Sequence, residues 1–104
     1  MTESDNSDEP EATGGFLTVV DGVRVREIDE RNLMRWRWVD TDGNHEIVWV
    51  RHPSVVFHSV RPPHQQTWHV HTLAGDPGDG QPTPRTAVDA RAMTRRFLRR
   101  RALG

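Results

Sequence analysis

Histidines are the residues of this sequence best suited to bind a metal ion, and two of them have a suitable spacing. His69 and His71 are two residues apart in a segment of β-strand character, so their side chains share one face of the strand. Such a pair can bind Zn²⁺, Ni²⁺ or Cu²⁺, and His64 or His58 would add a third ligand from across a hairpin. An H-x-H pair is also common without a metal, and residues 47–75 contain no carboxylate to orient the imidazoles. We therefore expect no cofactor, with surface histidines as the simpler interpretation.

Arginines near the C-terminal end have the chemistry to bind phosphate. All 14 basic residues are arginine, whose planar guanidinium matches phosphate and carboxylate groups. Arg91, Arg95 and Arg99 repeat at helical spacing, with Arg96 beside them. This stripe predicts nucleic-acid binding. The alternatives are a solvated helix face, an acidic protein partner or an anionic membrane surface.

A third group interleaves tryptophan with arginine. Arg35, Trp36, Arg37 and Trp38 are consecutive, and Trp49 follows in the next predicted strand. Stacking rings and cations together are typical of single-stranded nucleic-acid binding. Strand alternation, however, directs the arginines and the tryptophans to opposite faces. The tryptophan face is then either the core or, if exposed, a stacking or protein-interaction surface.

No recognisable motif indicates an enzyme. The chain has no cysteine, which excludes disulfides, thiolate metal sites and a cysteine nucleophile. The P-loop, dinucleotide-binding, zinc-protease and serine-hydrolase motifs are all missing. Ser54 and Ser59 are the only serines outside the N-terminal segment, and neither lies in a nucleophile elbow. We expect a protein without catalytic activity.

Two hairpins must position these residues. Asp21-Gly22 divides Phe16 to Ile28, and a two-residue turn there would pair Val20 with Val23 and Thr18 with Val25. In the second hairpin, Leu33 to Arg51, a turn at Asp42-Gly43 would pair Trp36 with Trp49 and Trp38 with Ile47. One face would then be apolar, and the other would carry Arg35 and Arg37. The apolar face comprises Met34, Trp36, Trp38, Ile47 and Trp49.

A third hairpin and a helix complete the predicted fold. Ser54 to Arg61 and Thr67 to Leu73 look like strands joined by a proline-containing loop. Thr86 followed by Asp89 predicts a helix start, with Thr83-Pro84 as an alternative. The apolar arc of this helix comprises Ala87, Ala90, Met93, Phe97 and Leu98. We expect an α+β fold in which an antiparallel meander of three hairpins packs on the C-terminal amphipathic helix, or a partly closed barrel capped by it.

The N-terminal segment differs from the rest in composition. Residues 1–15 carry five acidic and no basic side chains, and we expect them to be disordered. Because the whole chain has a net charge of −1, residues 16–104 carry −1 − (−5) = +4. We predict that these residues form one small domain. The segment lacks the features of a signal peptide and no apolar run is long enough to span a membrane, so we expect a cytoplasmic protein.

These observations support two functional hypotheses. In the first, the protein binds nucleic acid, or an acidic protein surface, through Arg91, Arg95, Arg96 and Arg99, extended by Arg35 and Arg37. In the second, it is a protein-interaction or structural module, a homodimer or a partner subunit, that uses the face of Trp36, Trp38 and Trp49 or the helix. A metal-dependent activity at the histidines ranks third. Buried tryptophans would exclude the stacking surface and leave only the arginines, whereas exposed rings would indicate a binding face.

Overall fold

The structure, a computed structural model, describes residues 14–20, 22–75 and 82–103. Six strands precede one helix. The strands are β1 (Gly14–Val20), β2 (Val23–Asp29), β3 (Leu33–Asp40), β4 (Gly43–Val50), β5 (Val55–Arg61) and β6 (His69–Ala74), and the helix is α1 (Ala87–Leu103).

The strands form one antiparallel sheet in which each strand pairs with its neighbours in sequence, in the order β1 to β6. The predicted α+β meander with a C-terminal helix is therefore confirmed. The sheet stays open, because β1 and β6 are edge strands that do not pair with each other. The alternative of a partly closed barrel is not adopted.

The first hairpin has the predicted register close to its turn. Val20 pairs with Val23 and Thr18 with Val25, and the register then shifts between Thr18 and Phe16, which pairs with Arg26. Strand β1 begins at Gly14. The segment predicted to be disordered therefore overlaps the sheet by two residues, and its other residues, 1–13, lie outside the described part of the chain.

In the second hairpin, the turn lies one residue earlier than predicted. Asp40 pairs with Gly43, so the turn residues are Thr41 and Asp42. Trp36 consequently pairs with Ile47 and not with Trp49, and Trp38 pairs with His45 and not with Ile47. The register differs from the prediction by two residues. A shift of two preserves which residues share a face, so both predicted faces of this hairpin are correct.

Two local interactions account for the observed turn. The backbone N–H of Asp42 donates to Asp40 Oδ1 at 2.7 Å, a side-chain-to-backbone bond that favours a turn directly after Asp40. Gly43 is buried with φ +130°, and a Cβ there would collide with the backbone carbonyl of Arg61 in β5. Gly43 is therefore required by the close approach of β5, and it begins β4 instead of forming part of the turn.

The third hairpin starts slightly later than predicted. Its strands run from Val55 and from His69, after the predicted starts at Ser54 and Thr67. In this register Val60 pairs with His69 and His58 with His71.

One face of the sheet forms the core against α1. The buried apolar side chains come from the sheet and from two helix positions: Val20, Val25, Met34, Trp36, Trp38, Ile47, Trp49, Val56, Ala74, Ala90 and Leu98. Indole N–H groups in this core have acceptors: Trp36 donates to Glu27 at 3.0 Å and Trp49 to Ser54 at 2.9 Å. The large rings are therefore buried without a loss of hydrogen bonding.

The helix begins as the capping pattern predicts. The backbone N–H of Asp89 donates to Thr86 Oγ1 at 3.2 Å, and Ala90 N–H donates to the Thr86 carbonyl at 3.0 Å. The alternative start at Thr83-Pro84 is not used. Thr94 is buried, although its type suggested a polar position, and its hydroxyl donates to the Ala90 carbonyl at 3.0 Å.

Candidate functional site

Four arginines on the outer side of α1 form a continuous cationic surface, here called the arginine face: Arg95, Arg96, Arg99 and Arg100. All four are exposed. Within the described part of the chain, no acidic side chain pairs with any of them. Of the predicted phosphate-binding residues, Arg95, Arg96 and Arg99 lie together here, and Arg100 joins them.

Arg91 lies elsewhere than its predicted position beside Arg95. It turns towards the sheet and donates from Nε and Nη2 to the two Glu27 carboxylate oxygens, both at 2.9 Å. The hydrogen bonds that Arg91 donates to Glu27 raise the pKa of Arg91. Because Thr94 is buried, the contact strip of the helix is rotated relative to the apolar arc predicted from the sequence, and Arg91 borders that strip. Its guanidinium serves the contact between helix and sheet.

Arg35 and Arg37 are on the opposite side of the sheet from the helix. Arg35 and Arg37 alternate with the buried tryptophans along β3. Both donate a hydrogen bond to Glu46 Oε2, at 3.0 Å and 2.9 Å. The predicted extension of the helix surface by Arg35 and Arg37 is therefore not continuous, because the sheet separates the two groups.

The tryptophans proposed as stacking residues form the core. Trp36, Trp38 and Trp49 have exposed fractions of 0%, 3% and 3%. No ring face is left for a base or a protein partner. Trp68, in the loop before β6, is 45% exposed, and sequence analysis did not select it.

A row of three imidazoles runs across β4, β5 and β6, and we call it the histidine row: His45, His58 and His71. His45 Nδ1 lies 3.1 Å from His58 Nε2, and His58 Nδ1 lies 3.1 Å from His71 Nε2. Its buried end is fixed by Asp40, whose Oδ1 is 2.8 Å from His45 Nε2. His45 and His58 are buried and His71 is exposed, so the row passes from the half-buried carboxylate of Asp40 through the core to an exposed imidazole.

Asp40 determines where the protons of the neutral row reside. A carboxylate can only accept a hydrogen bond, so His45 Nε2 carries the proton and His45 Nδ1 accepts. His58 Nε2 then donates to His45, and His71 Nε2 donates to His58 Nδ1. Burial, followed by the charges that His71, His45 and Arg101 would present, lowers the pKa of His58 to about 4, against an opposing effect of Asp40. The row is uncharged at its centre near neutral pH.

This arrangement does not form a metal chelate. His58 uses both ring nitrogens in series, whereas chelation needs one nitrogen from each imidazole directed to a common point. The predicted candidates His64 and His69 are not in the row: both are exposed, and His69 Nε2 contacts Gln65 Oε1 at 3.2 Å.

One other set of potential metal ligands is already paired with an arginine side chain. Ligand atoms of Asp40, Asp42 and His45 lie within 4.8 Å of one another. Arg101 Nη2 donates to Asp42 at 2.7 Å and to Asp40 at 3.2 Å, so the guanidinium neutralises the carboxylates. Burial, the largest influence, raises the pKa of Asp40, but hydrogen bonds from the Asp42 backbone, His45 and Arg101 lower it overall.

Two cavities accompany these groups. One, about 520 Å³ in volume, borders the histidine row between Phe97 and Arg101. The other, about 1200 Å³, lies on the sheet face opposite α1 and is here called the sheet-face cavity. Its lining includes Arg37 and Trp68.

Comparisons with protein-family models, curated proteins and solved structures found no match for this chain. Among the described residues, no helix combines the length and the apolar character needed to cross a membrane.

Proposed function

We propose that this chain is a non-enzymatic binding protein that contacts nucleic acid through the arginine face of α1. The observation that carries the proposal is the exposure of four guanidiniums with no acidic partner in the described part of the chain. The proposal retains the sequence-based hypothesis but replaces Arg91, which pairs with Glu27, by Arg100.

The contrast among the helix arginines supports a phosphate-binding role. Residues 87–103 contain six arginines and one aspartate, a charge of +6 − 1 = +5. Arg91 and Arg101 face acids of the sheet, and their charges are locally compensated. The charge of the other four is directed outwards. Uncompensated arginines on one face attract a polyanion, and binding then releases its counterions.

The spacing also suits a phosphate backbone. Arg95 and Arg99 are one helical turn apart, as are Arg96 and Arg100, so each pair spans about 6 Å along the axis. Neighbouring arginines at this spacing can contact successive phosphates. Such contacts provide affinity and orientation without sequence recognition.

Burial of the tryptophans argues against the form of the rival hypothesis that uses the tryptophan face. A protein-interaction surface made of Trp36, Trp38 and Trp49 would need exposed rings, and these rings lie in the core. An acidic protein partner at the arginine face becomes an outcome of the experiment.

The test replaces the arginine face and leaves the paired arginines in place. Gln has a helix propensity close to that of Arg, so Arg95→Gln/Arg96→Gln/Arg99→Gln/Arg100→Gln should remain folded. We expect this variant to bind labelled single- and double-stranded oligonucleotides more weakly in fluorescence anisotropy. The slope of log affinity against log salt should become shallower by about 0.7–0.9 for each phosphate that the variant no longer neutralises.

A matched control is available in the turn between β2 and β3. Arg31 is exposed and lies away from α1 in sequence, so Arg31→Gln removes one charge without altering the arginine face. It should change the affinity less than either Arg95→Gln or Arg99→Gln. Equal binding by the wild type and the quadruple variant, or no binding by the wild type at low salt, would refute the proposal and favour a protein partner.

A further inference from the structure

The sheet-face cavity is lined by cations and by the exposed tryptophan. Its volume is about 1200 Å³, and the residues relevant here are Arg24, Arg26, Arg37, Val39, Arg61 and Trp68. Register explains why they converge. Arg26 pairs with Arg37, Arg37 with Glu46, and Asn44 with Arg61, so strands β2 to β5 direct these residues to the face opposite α1.

Positive charge predominates in the cavity. Among the described lining residues, arginines outnumber the two acidic residues, Asp40 and Glu46. Both carboxylates already accept hydrogen bonds from cationic groups outside the cavity lining: Glu46 from Arg35, and Asp40 from Arg101. Arg37 therefore shares its carboxylate partner, Glu46, with Arg35.

Arg61 and Trp68 form the best-defined part of this lining. Arg61 Cζ lies 5.8 Å from the centre of the Trp68 ring, within cation–π range. Arg61 Nη1 donates to the Gln65 backbone carbonyl at 2.9 Å, which holds the guanidinium but does not neutralise it. In the described part of the chain, no carboxylate forms an ion pair with Arg61.

Trp68 supplies an aromatic surface that the fold does not require for packing. It is 45% exposed, whereas Trp36, Trp38 and Trp49 are buried. Val39, 68% exposed, adds apolar surface to the same cavity. An exposed ring beside cations is the combination that holds bases by stacking and phosphates by charge.

We infer that the sheet-face cavity binds a planar base joined to phosphate, with the base stacked on Trp68 and the phosphate held by Arg61 and Arg37. The ligand chemistry is common to a segment of single-stranded nucleic acid and to a free nucleotide. The site deepens the proposed function by adding base recognition, yet it shares no residue with the arginine face. Either surface can fail without the other.

The experiment uses three probes with the full-length chain: the octanucleotide dT8, thymidine monophosphate and tripolyphosphate, which has charge but no base. Trp68 is the exposed tryptophan, so we expect the two base-containing probes to quench intrinsic fluorescence and tripolyphosphate to leave it nearly unchanged. Binding of labelled dT8 in anisotropy provides a second readout, independent of tryptophan. Thymidine monophosphate binding as tightly as dT8 would identify a free nucleotide as the source, and tighter binding of dT8 would identify a strand.

Variants separate stacking from charge. Trp68→Ala should weaken dT8 binding roughly 5- to 100-fold, whereas Trp68→Phe, which keeps an aromatic face, should retain most of the affinity. Arg61→Gln should weaken binding and reduce the salt slope by about 0.7. Arg99→Gln, on the arginine face, is the matched control and should leave quenching by thymidine monophosphate unchanged.

Folding and rival explanations are checked in the same series. Trp68 is in a loop, so its variants should keep the thermal midpoint of the wild type. If a Trp68 variant does not, the affinity of Arg61→Gln for dT8 tests the site instead. The inference is overturned if Trp68→Ala binds dT8 as tightly as wild type, or if tripolyphosphate binds as tightly as thymidine monophosphate. Loss of binding only in the arginine-face variants would overturn it while leaving the proposed function intact.

Discussion

Asp40 illustrates how one side chain can organise several parts of a small fold. It accepts hydrogen bonds from the Asp42 backbone N–H at 2.7 Å, from His45 at 2.8 Å and from Arg101 of the helix at 3.2 Å. The same carboxylate thus shapes the turn, sets the tautomers of the histidine row and anchors the end of α1. Polar groups that are partly buried in such a network stabilise a structure only when all of them have hydrogen-bond partners.

The histidine row predicts an acid-sensitive stability. Because folding lowers the pKa of His58 from 6.5 to about 4, the unfolded chain binds the proton more tightly. The stability contribution is therefore complete above pH 6.5 and is lost as the pH falls towards 4. Urea unfolding at several pH values should show the free energy of unfolding decreasing by up to about 1.4 kcal/mol per pH unit in this window.

The variant His58→Gln isolates this effect. An amide retains a donor and an acceptor for the row but does not titrate, so the pH dependence between 6.5 and 4 should flatten by about one proton. The pKa of Asp40 is lowered from 3.8, so its own contribution is lost below this window. Identical pH slopes in the variant and the wild type would show that His58 does not carry the effect.

Among the elements, the β3–β4 hairpin depends on glycine for a reason other than turn conformation. Gly22 and Gly43 both have positive φ, +86° and +130°. A Cβ at Gly22 would meet open space, whereas one at Gly43 would collide with β5. We expect Gly22→Ala to cost about 1 kcal/mol of backbone strain, and Gly43→Ala to cost at least about 2 kcal/mol more because β5 must shift.

Chemical denaturation of the two glycine variants measures this difference directly. Gly22→Ala serves as the control, since φ is also positive at Gly22 but a Cβ there would meet open space. Equal losses for the two variants would mean that β5 accommodates the added methyl group. The close approach of the Arg61 backbone would then not be the reason for glycine at position 43.

Alternation in the sequence predicted the strands and the two faces of the β3–β4 hairpin correctly, but exact partners depend on contacts that alternation does not specify. In β1, a register shift pairs Phe16 with Arg26, so the alternation predicted for that strand does not continue to Phe16. The Asp42-Gly43 pair suggested the turn, yet the hydrogen bond from Asp42 to Asp40 and the steric demand at Gly43 placed it one residue earlier. The contact between His45 and His58 depends on the β4–β5 register, which the sequence pattern did not specify. The predicted faces of this hairpin remain correct because the register shift is two residues, which is the period of side-chain alternation in a strand.

The binding residues were predictable only where periodicity governs them. Helical spacing predicts the positions of Arg95, Arg96 and Arg99. Arg91 was misplaced because Thr94, a polar residue, is buried, and its hydroxyl donates a hydrogen bond to a carbonyl of the same helix. Trp68 lies in a loop, where no period indicates exposure. Its proximity to Arg61 becomes visible only when β5 and the loop before β6 are folded.

At the scale of the whole molecule, charge is divided between an acidic N-terminal segment and a basic remainder. Five acidic residues precede β1, and all lie outside the described residues: Glu3, Asp5, Asp8, Glu9 and Glu11. The arginine face and the sheet-face cavity are on opposite sides of the sheet. We expect the acidic segment to compete with nucleic acid for these cationic surfaces, since opposite charges attract at close range and salt screens them.

We therefore expect deletion of residues 1–13 to strengthen oligonucleotide binding several-fold at about 50 mM salt, where the Debye length exceeds about 10 Å, and much less at high salt. The cut spares Gly14 and Gly15, which pair with Ile28 and Glu27, so the thermal midpoint should not change. The matched control keeps the segment and replaces its five acids by their amides, Glu3→Gln, Asp5→Asn, Asp8→Asn, Glu9→Gln and Glu11→Gln. If charge is the cause, this full-length variant should bind like the deletion. Strengthening by the deletion alone would indicate steric occlusion, and unchanged or weaker binding in both would contradict competition by the acidic segment.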